Sequence, residues 1–475
     1  MIELSNLEPK GVFKYFGEIS AVPRGSGHTD KISDYCVEFA KKHNLKYIRE
    51  DIGNVIIFKD GTSGRESEEP VILQGHLDMV WEKEEGSTFD FENEGIDLTV
   101  DGDYLTAKGT TLGGDDGIAV AICLAILDSN SLSHPPLEVV FTVNEETGMD
   151  GARAIDTSVL KGKRMINLDS ESESVLWVSC AGGARADISL NLPKEKNNLK
   201  AYEIQICGLH GGHSGSEIHK GYANASVLMG EILKKISQNG EICISDVTGG
   251  KMDNAITREC TATVCANFDI SKIINDFSVE IGEKYKNSDP NIKITCTCAN
   301  AEESFDKKSS DALISILSSL PYGVRSMSEE IEGLVQTSLN PGILETNGNT
   351  VRIGYSVRSS VNQEKEDLIL ELKALAKSHG AEIEIYGEYP AWEYKKDSPL
   401  RDTMAKIYKE NFGKELEITA IHAGLECGIF NGKINSLDCV SIGPNMQDIH
   451  TPKEKLSISS SRRIYEFVVK TLRSI

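Results

Sequence analysis

Short apolar runs and amphipathic stretches alternate along the first part of the chain. From Leu7 to about Glu50 apolar positions recur at helical spacing, interrupted at Ala21-Val22-Pro23-Arg24-Gly25-Ser26-Gly27, where proline and glycine predict a loop between two helices. Val55-Ile56-Ile57-Phe58, Val71-Ile72-Leu73, Leu137 to Val143 and Met165-Ile166-Asn167-Leu168 are largely apolar runs of strand length. The apolar stretch Gly117 to Leu127 predicts a buried helix between the second and third of them. Strands alternating with helices predict an α/β layer on a mostly parallel mixed sheet, buried on both faces.

After Cys180-Ala181-Gly182-Gly183-Ala184 the texture changes to alternation at every second position, as in Ala186 to Leu190 and Tyr202 to Ile206, which predicts strands with one wet face. A helix over Ala223 to Gln238, strands over Thr261 to Asp269, a helix over Ile273 to Tyr285 and a strand over Ile292 to Ala299 give a βαββαβ order. A helix over Asp311 to Leu320, strands over Gly333 to Leu339 and Thr350 to Ser356, a helix over Lys365 to His379 and a strand over Glu382 to Gly387 repeat part of it, as a tandem half-duplication. The α/β texture returns with a helix over Leu400 to Phe412, strands over Glu417 to Ala420 and Cys439 to Ile442, and a last helix from Ser460. The expected architecture is an α/β domain of residues 1–183 plus 391–475, interrupted by an inserted α+β domain of residues 184–390.

Composition narrows the function classes. Fifty Lys+Arg against 73 Asp+Glu leave a net charge of −23, which disfavours nucleic acid or an anionic membrane as a partner and favours collecting cations. The 11 cysteines form no Cys-x-x-Cys pair, the N-terminus lacks the basic flank and apolar core of a signal peptide, and no apolar run approaches the ~20 residues that span a bilayer. A reduced, cytoplasmic protein is expected.

Polar chemistry gathers just after the predicted strands. His76 and Asp78 lie two apart in Gln74-Gly75-His76-Leu77-Asp78, so both can point to one side. Gly113-Gly114-Asp115-Asp116-Gly117 opens the buried helix, Asp169 closes another strand, and His450 lies in Asp448-Ile449-His450-Thr451-Pro452. Each alone reads as a turn, a cap or a solvated side chain. Adjacent Glu145 and Glu146 after Val143 are harder to explain without a cation, because neighbouring carboxylates repel. Two histidines and several carboxylates make a mixed nitrogen and oxygen set suited to zinc, cobalt or manganese. A shared carboxylate can hold two such ions ~3.5–4 Å apart, leaving one of the paired glutamates to bind metal and the other to move a proton.

The series His76-x-Asp78, Asp115-Asp116-Gly117, Glu145-Glu146, Asp169 and His450 resembles the di-zinc exopeptidases of the aminoacylase, carboxypeptidase G and carnosinase type. The runs Ala21 to Gly27, Gly109-Thr110-Thr111-Leu112-Gly113, Gly208-Leu209-His210-Gly211-Gly212-His213-Ser214-Gly215 and His422-Ala423-Gly424-Leu425-Glu426-Cys427-Gly428 resemble, more narrowly, the bacterial aminoacyl-histidine dipeptidase group. The resemblance implies that Asp115 bridges two Zn2+ ions, with Co2+ or Mn2+ able to substitute. His76 and Asp169 would complete one position, and Glu146 and His450 the other. It further implies that Asp78 orients His76 through its second ring nitrogen, that Glu145 is the general base and then the acid, and that the Asp115-Asp116 peptide is cis.

In the insert, which the resemblance makes a lid, His213 would polarise the scissile carbonyl, Asn254 would lie near substrate and Arg358 would grip a terminal carboxylate. His422 and Glu426 would line the substrate pocket. The implied activity is hydrolysis of unblocked dipeptides, preferring histidine at the C-terminal position. A tripeptidase or N-acyl amino acid amidohydrolase with the same metals is the alternative enzyme, and a silent peptide-binding protein the alternative class. A homodimer is compatible with this reading, with His213 expected to serve its own chain.

Overall fold

The computed structural model describes residues 4–475; the reading of the first three residues of the N-terminus lies outside them. The chain divides into two units, one of residues 4–179, Tyr394–Ala420 and Leu425–Ile475, the other of Cys180–Glu393 and Ile421–Gly424.

The first unit is built on an eight-stranded sheet in the order Lys46–Arg49, Val55–Lys59, Leu137–Thr142, Val71–His76, Arg164–Asn167, Asp438–Ser441, Val175–Cys180, Glu417–Ile421. Every residue of Val71–His76 and Leu137–Thr142 is buried, as expected of largely apolar strands covered on both faces. Helix Gly114–Asp128 is apolar all round and packs against helix Lys10–Ser20.

Two expectations need correction here. The sheet is parallel only through its four central strands, from Leu137–Thr142 to Asp438–Ser441. Flanking pairs are antiparallel, and between Lys46–Arg49 and Val55–Lys59 the connecting turn is too short for a crossover. The helical pattern also ends before Glu50: helix Asp30–Lys42 stops at His43, Asn44 turns at φ 54°, and Lys46–Arg49 becomes the edge strand. Asparagine tolerates that left-handed conformation better than most residues.

The central parallel strands end at one edge of the sheet. His76 closes one, Asn144-Glu145-Glu146 follows another, and Asp169 follows a third. Such carboxyl ends are where open α/β sheets collect ligands.

The second unit holds a sheet in the order Lys293–Ala299, Lys200–Cys207, Cys260–Ala266, Ile242–Lys251, Val335–Asn347, Thr350–Ser359, Gly182–Asn191, Glu382–Tyr389, with Gly323–Met327 paired onto Val335–Asn347. Strand Lys200–Cys207, helix Ala225–Ser237, strands Ile242–Lys251 and Cys260–Ala266, helix Ser271–Lys284 and strand Lys293–Ala299 form one complete βαββαβ repeat. The later elements form a second complete repeat, not a half, because Gly182–Asn191 is its first strand. The whole first repeat is thus inserted after the opening strand of the other. Strand Ile242–Lys251 escaped the alternation pattern because a bulge between Ile244 and Asp246 shifts its register.

Among the described residues no helix is long and apolar enough to cross a membrane, and no cysteine forms a disulfide.

Packing in the second unit yields a stability prediction. A Cβ added at Gly230, inside helix Ala225–Ser237, would stand 2.0 Å from the carbonyl oxygen of Leu317 in the neighbouring helix. Gly230→Ala raises helix propensity by about 1 kcal/mol. The forced separation costs about 1–3 kcal/mol, so net destabilisation is expected in urea unfolding. A variant as stable as the parent or more so would contradict this packing.

Candidate metal centre

Seven carboxylates and two histidines converge where the central strands end. His76 Nε2 lies 3.1 Å from Asp115 Oδ1 and 3.8 Å from Asp169 Oδ1. His450 Nε2 lies 3.2 Å from Asp115 Oδ2 and 3.0 Å from Glu146 Oε2. Asp115 therefore turns its two oxygens toward two different histidines. Ligand atoms of Asp115, Glu146 and His450, of His76, Asp116 and Asp169, and of His76, Glu145 and Glu146 fall within 4.8 Å of one another in each group. The Asp115-Asp116 peptide is cis, and both residues depart from helical angles although they sit at the start of helix Gly114–Asp128.

Asp78 meets the second ring nitrogen of His76 through its main chain rather than its carboxylate. Its carboxylate is 3.6 Å from His76 Nδ1, too far for a hydrogen bond, while its main-chain oxygen accepts from that nitrogen at 3.0 Å. The carboxylate instead accepts from Ser26 Oγ at 2.7 Å and from the Glu145 main-chain N–H at 3.0 Å. Asp78 thus ties the strand end bearing His76 to the loop bearing the paired glutamates.

Glu426, expected along a substrate pocket, is also placed differently. It is fully buried, accepting from Gln74 Nε2 and, at 2.7 Å, from Thr142 Oγ1. Gln74 in turn accepts from Asn167, so a polar chain runs across three central strands beneath the cluster. Alternating inward positions on those strands carry Gln74, Thr142 and Asn167 as rare polar residues in apolar runs, the signal that could have found them.

Crowding shifts four of the acids upward, whereas Asp78 and Asp115 are held below the usual carboxylate range, against burial, by the histidines beside them. Burial, reinforced by Glu426, Glu146 and Asp115, pushes the Glu145 carboxyl up to about 8 against the pull of His76. Burial raises Glu426 to about 7 and holds Asp116 and Asp169 well above the usual carboxylate range. Hydrogen bonds that His450 donates to Asp115 and Glu146 raise it to about 10. His76 also stands well above its ordinary value; burial opposes its charge, and the carboxylates of Asp169, Asp115 and Asp78 outweigh it.

Three buried oxygens, Asp116 Oδ1, Glu146 Oε1 and Glu426 Oε1, have no hydrogen-bond partner among the described residues. Unpaired buried acceptors and excess negative charge suit divalent cations, and the mixed donors suit zinc, cobalt or manganese.

Comparison with known proteins agrees with this chemistry. Residues 72–474 match the peptidase family M20/M25/M40. The chain belongs to the M20/M25/M40 peptidase family. It is 35% identical over 482 residues to the cytosol non-specific dipeptidase of Escherichia coli strain K12, covering 100% of this chain and 99% of that protein. The crystal structure of aminoacylhistidine dipeptidase from Vibrio alginolyticus superposes with a TM-score of 0.94 at 34% identity, covering 100% of this chain and 98% of that one. Aminopeptidase PepT from Bacillus cereus shares the fold, with a TM-score of 0.58 at 15% identity over 98% of each chain.

Four residues singled out in this M20-family sequence lie in the second unit. His213 Nδ1 accepts from the main-chain N–H groups of Gly215 at 3.3 Å and Ser216 at 3.1 Å, which places the proton of the neutral ring on Nε2. Burial and then Arg358 lower its pKa, favouring that neutral ring. The loops of His213 and Asn254 are joined by Ser214 N–H to Asn254 O at 2.8 Å and Ile256 N–H to Gly212 O at 2.8 Å. Both residues line a cavity of about 600 Å3 with Arg258 and Met252. Arg358 reaches Tyr389 Oη at 3.4 Å, leaving its Nε without a hydrogen-bond partner. His422 shares a hydrogen bond of 2.7 Å with Ser338, and burial, Arg358 and His213 pull it down to about 3, so it is neutral.

These shifts set a pH prediction for the metal-free chain. Glu426, Glu145 and His450 all have folded-state pKa values above their unfolded ones. Each therefore adds stability at low pH that is lost as pH rises through about 7, 8 and 10 respectively. With chelator present, the melting temperature is expected to fall between about pH 6 and pH 9, and the gain from added divalent ions to grow over the same range, since metals bind deprotonated ligands. Thermal unfolding checks this; a metal-free chain that gains stability with rising pH contradicts it.

Proposed function

We propose that this chain is a cytoplasmic metallo-dipeptidase that hydrolyses unblocked dipeptides, preferring histidine at the C-terminal position, with two Zn2+ ions held around Asp115. The observation that carries the reading is the Asp115 carboxylate, whose separate oxygens face His76 and His450 at 3.1 and 3.2 Å. His76 and Asp169 are assigned to one ion and Glu146 and His450 to the other; Asp116 lies buried beside the first group. The names of the E. coli and Vibrio relatives support dipeptidase activity, and they differ on whether histidine is preferred.

Divalent ions bound there supply Lewis acidity toward a peptide carbonyl and let water act as a nucleophile near neutral pH. Glu146 is committed to His450 at 3.0 Å, whereas the Glu145 carboxyl, raised to about 8, has the proton affinity to take a proton from the attacking water and return it to the leaving amine. Asp78 fixes the main chain of Glu145, and its carbonyl fixes the His76 ring. His213 is assigned the donor to the developing oxyanion, which its Nε2–H tautomer supports. Asn254, Arg358 and His422 are assigned to substrate, Arg358 to its terminal carboxylate. His213 is proposed to serve its own chain, because both repeats already share one sheet; a homodimer would use another surface.

A panel of free dipeptides, tripeptides and acetylated amino acids, assayed with and without added metal, tests the reading. Metal-dependent turnover of free dipeptides is expected, fastest with C-terminal histidine. Exclusive turnover of tripeptides or acetylated amino acids would overturn the substrate class, and metal-bound chain without turnover would favour a binding protein. In the same assay Glu145→Gln should keep both ions and lose ~10²–10⁴-fold in rate, whereas Glu146→Gln should lose or weaken one ion. Equal metal loss in both would reject this division of labour.

A further inference from the structure

We propose that Glu454 is the positioning residue that sets the bridging carboxylate of Asp115 and thereby the affinity of both metal positions at once; this rests on the two-metal reading above. Glu454 is 3% exposed, and its carboxylate accepts four consecutive main-chain N–H groups, from Leu112 at 2.8 Å, Gly113 at 3.0 Å, Gly114 at 2.7 Å and Asp115 at 3.2 Å. Charge-assisted bonds from main-chain donors at a helix start are among the stronger ones in a protein. The first N–H groups of a helix have no acceptor within it, and here Glu454 supplies one.

Arg24, 2% exposed, holds the same segment from its carbonyl side. One guanidinium nitrogen donates to Gly113 O, and another to Leu77 O at 3.0 Å and Asp78 O at 3.2 Å, the strand end that carries His76. Space for this clamp comes from glycine: a Cβ at Gly113 would stand 2.5 Å from the guanidinium, and one at Gly114 would stand 3.1 Å from Glu454 Oε1. Gly113, at φ 69°, also takes the left-handed conformation that glycine enters freely.

On its other side Glu454 closes a turn with Thr451, N–H to O at 3.1 Å, so the turn that follows His450 also supplies the receptor for the Asp115 segment. Loosening Glu454 moves a carboxylate that faces both histidines, and both ions feel it. A ligand used by one ion only cannot do this.

The test is titration of metal-free chain with Co2+, followed by visible absorption and calorimetry, for wild type, Glu454→Gln and Glu146→Gln. Glutamine keeps the volume but replaces one acceptor oxygen with a donor facing those N–H groups. Both Co2+ affinities of Glu454→Gln are expected to fall together by ~10–100-fold with altered absorption bands, while Glu146→Gln weakens one. If Glu454→Gln does not fold, Glu454→Asp, which keeps the charge and withdraws it by one methylene, should show the same paired loss. Wild type taking two ions while the folded Glu454 variant binds both with unchanged affinity overturns this inference alone, as does loss confined to one ion. Wild type taking fewer than two overturns the metal reading and this inference with it.

Discussion

Mutual repulsion among buried carboxylates governs this molecule. Asp78, Asp115, Asp116, Glu145, Glu146, Asp169 and Glu426 crowd together, and the buried guanidinium of Arg24 is already committed to main-chain carbonyls. Burial alone would protonate several of these acids, and the elevated values of Glu145 and Glu426 express that tendency. Histidines relieve part of the charge through Asp115 and Glu146. The remainder calls for cations, which is why the cluster reads as a metal centre rather than as a salt-bridge network.

Holding such a cluster open is a task for main-chain hydrogen bonds. Asp78 grips the Glu145 N–H, Glu454 grips the segment from Leu112 to Asp115, and the chain of Glu426, Gln74 and Asn167 supports the strand ends from below. Asp78 and Glu454 are side chains delivered from distant parts of the sequence onto the main chain beside the ligands, and the Glu426 chain is held by side-chain bonds alone. Repulsion at the top of the sheet is thereby opposed by rigid elements, the placement that precise sites favour over mobile loops.

Much of this was legible before any coordinates. His76 and Asp169 stood out at strand ends and Glu146 beside Glu145 as adjacent carboxylates, whereas Asp115 and His450 gained roles only through the family resemblance; the structure brings these side chains together. Glu426 was legible as a residue of interest but not as a buried one, since nothing local marks it as the partner of Gln74 and Thr142. Arg24 lies in a Pro- and Gly-containing loop whose sequence marks no role for it, and Glu454 has no local signal because its contacts lie more than 300 residues away in sequence. In the second unit, local alternation found most strands, but which strand opens the second repeat is a long-range fact, visible only in the pairing of Gly182–Asn191 with Thr350–Ser359.

The most direct test of the two-metal account is anomalous diffraction at the zinc edge from crystals of the chain grown with Zn2+. Two peaks are expected on either side of the Asp115 carboxylate, ~3.5–4 Å apart, one beside His76 and Asp169 and the other beside Glu146 and His450. A single peak, or two peaks that do not share Asp115, would contradict it.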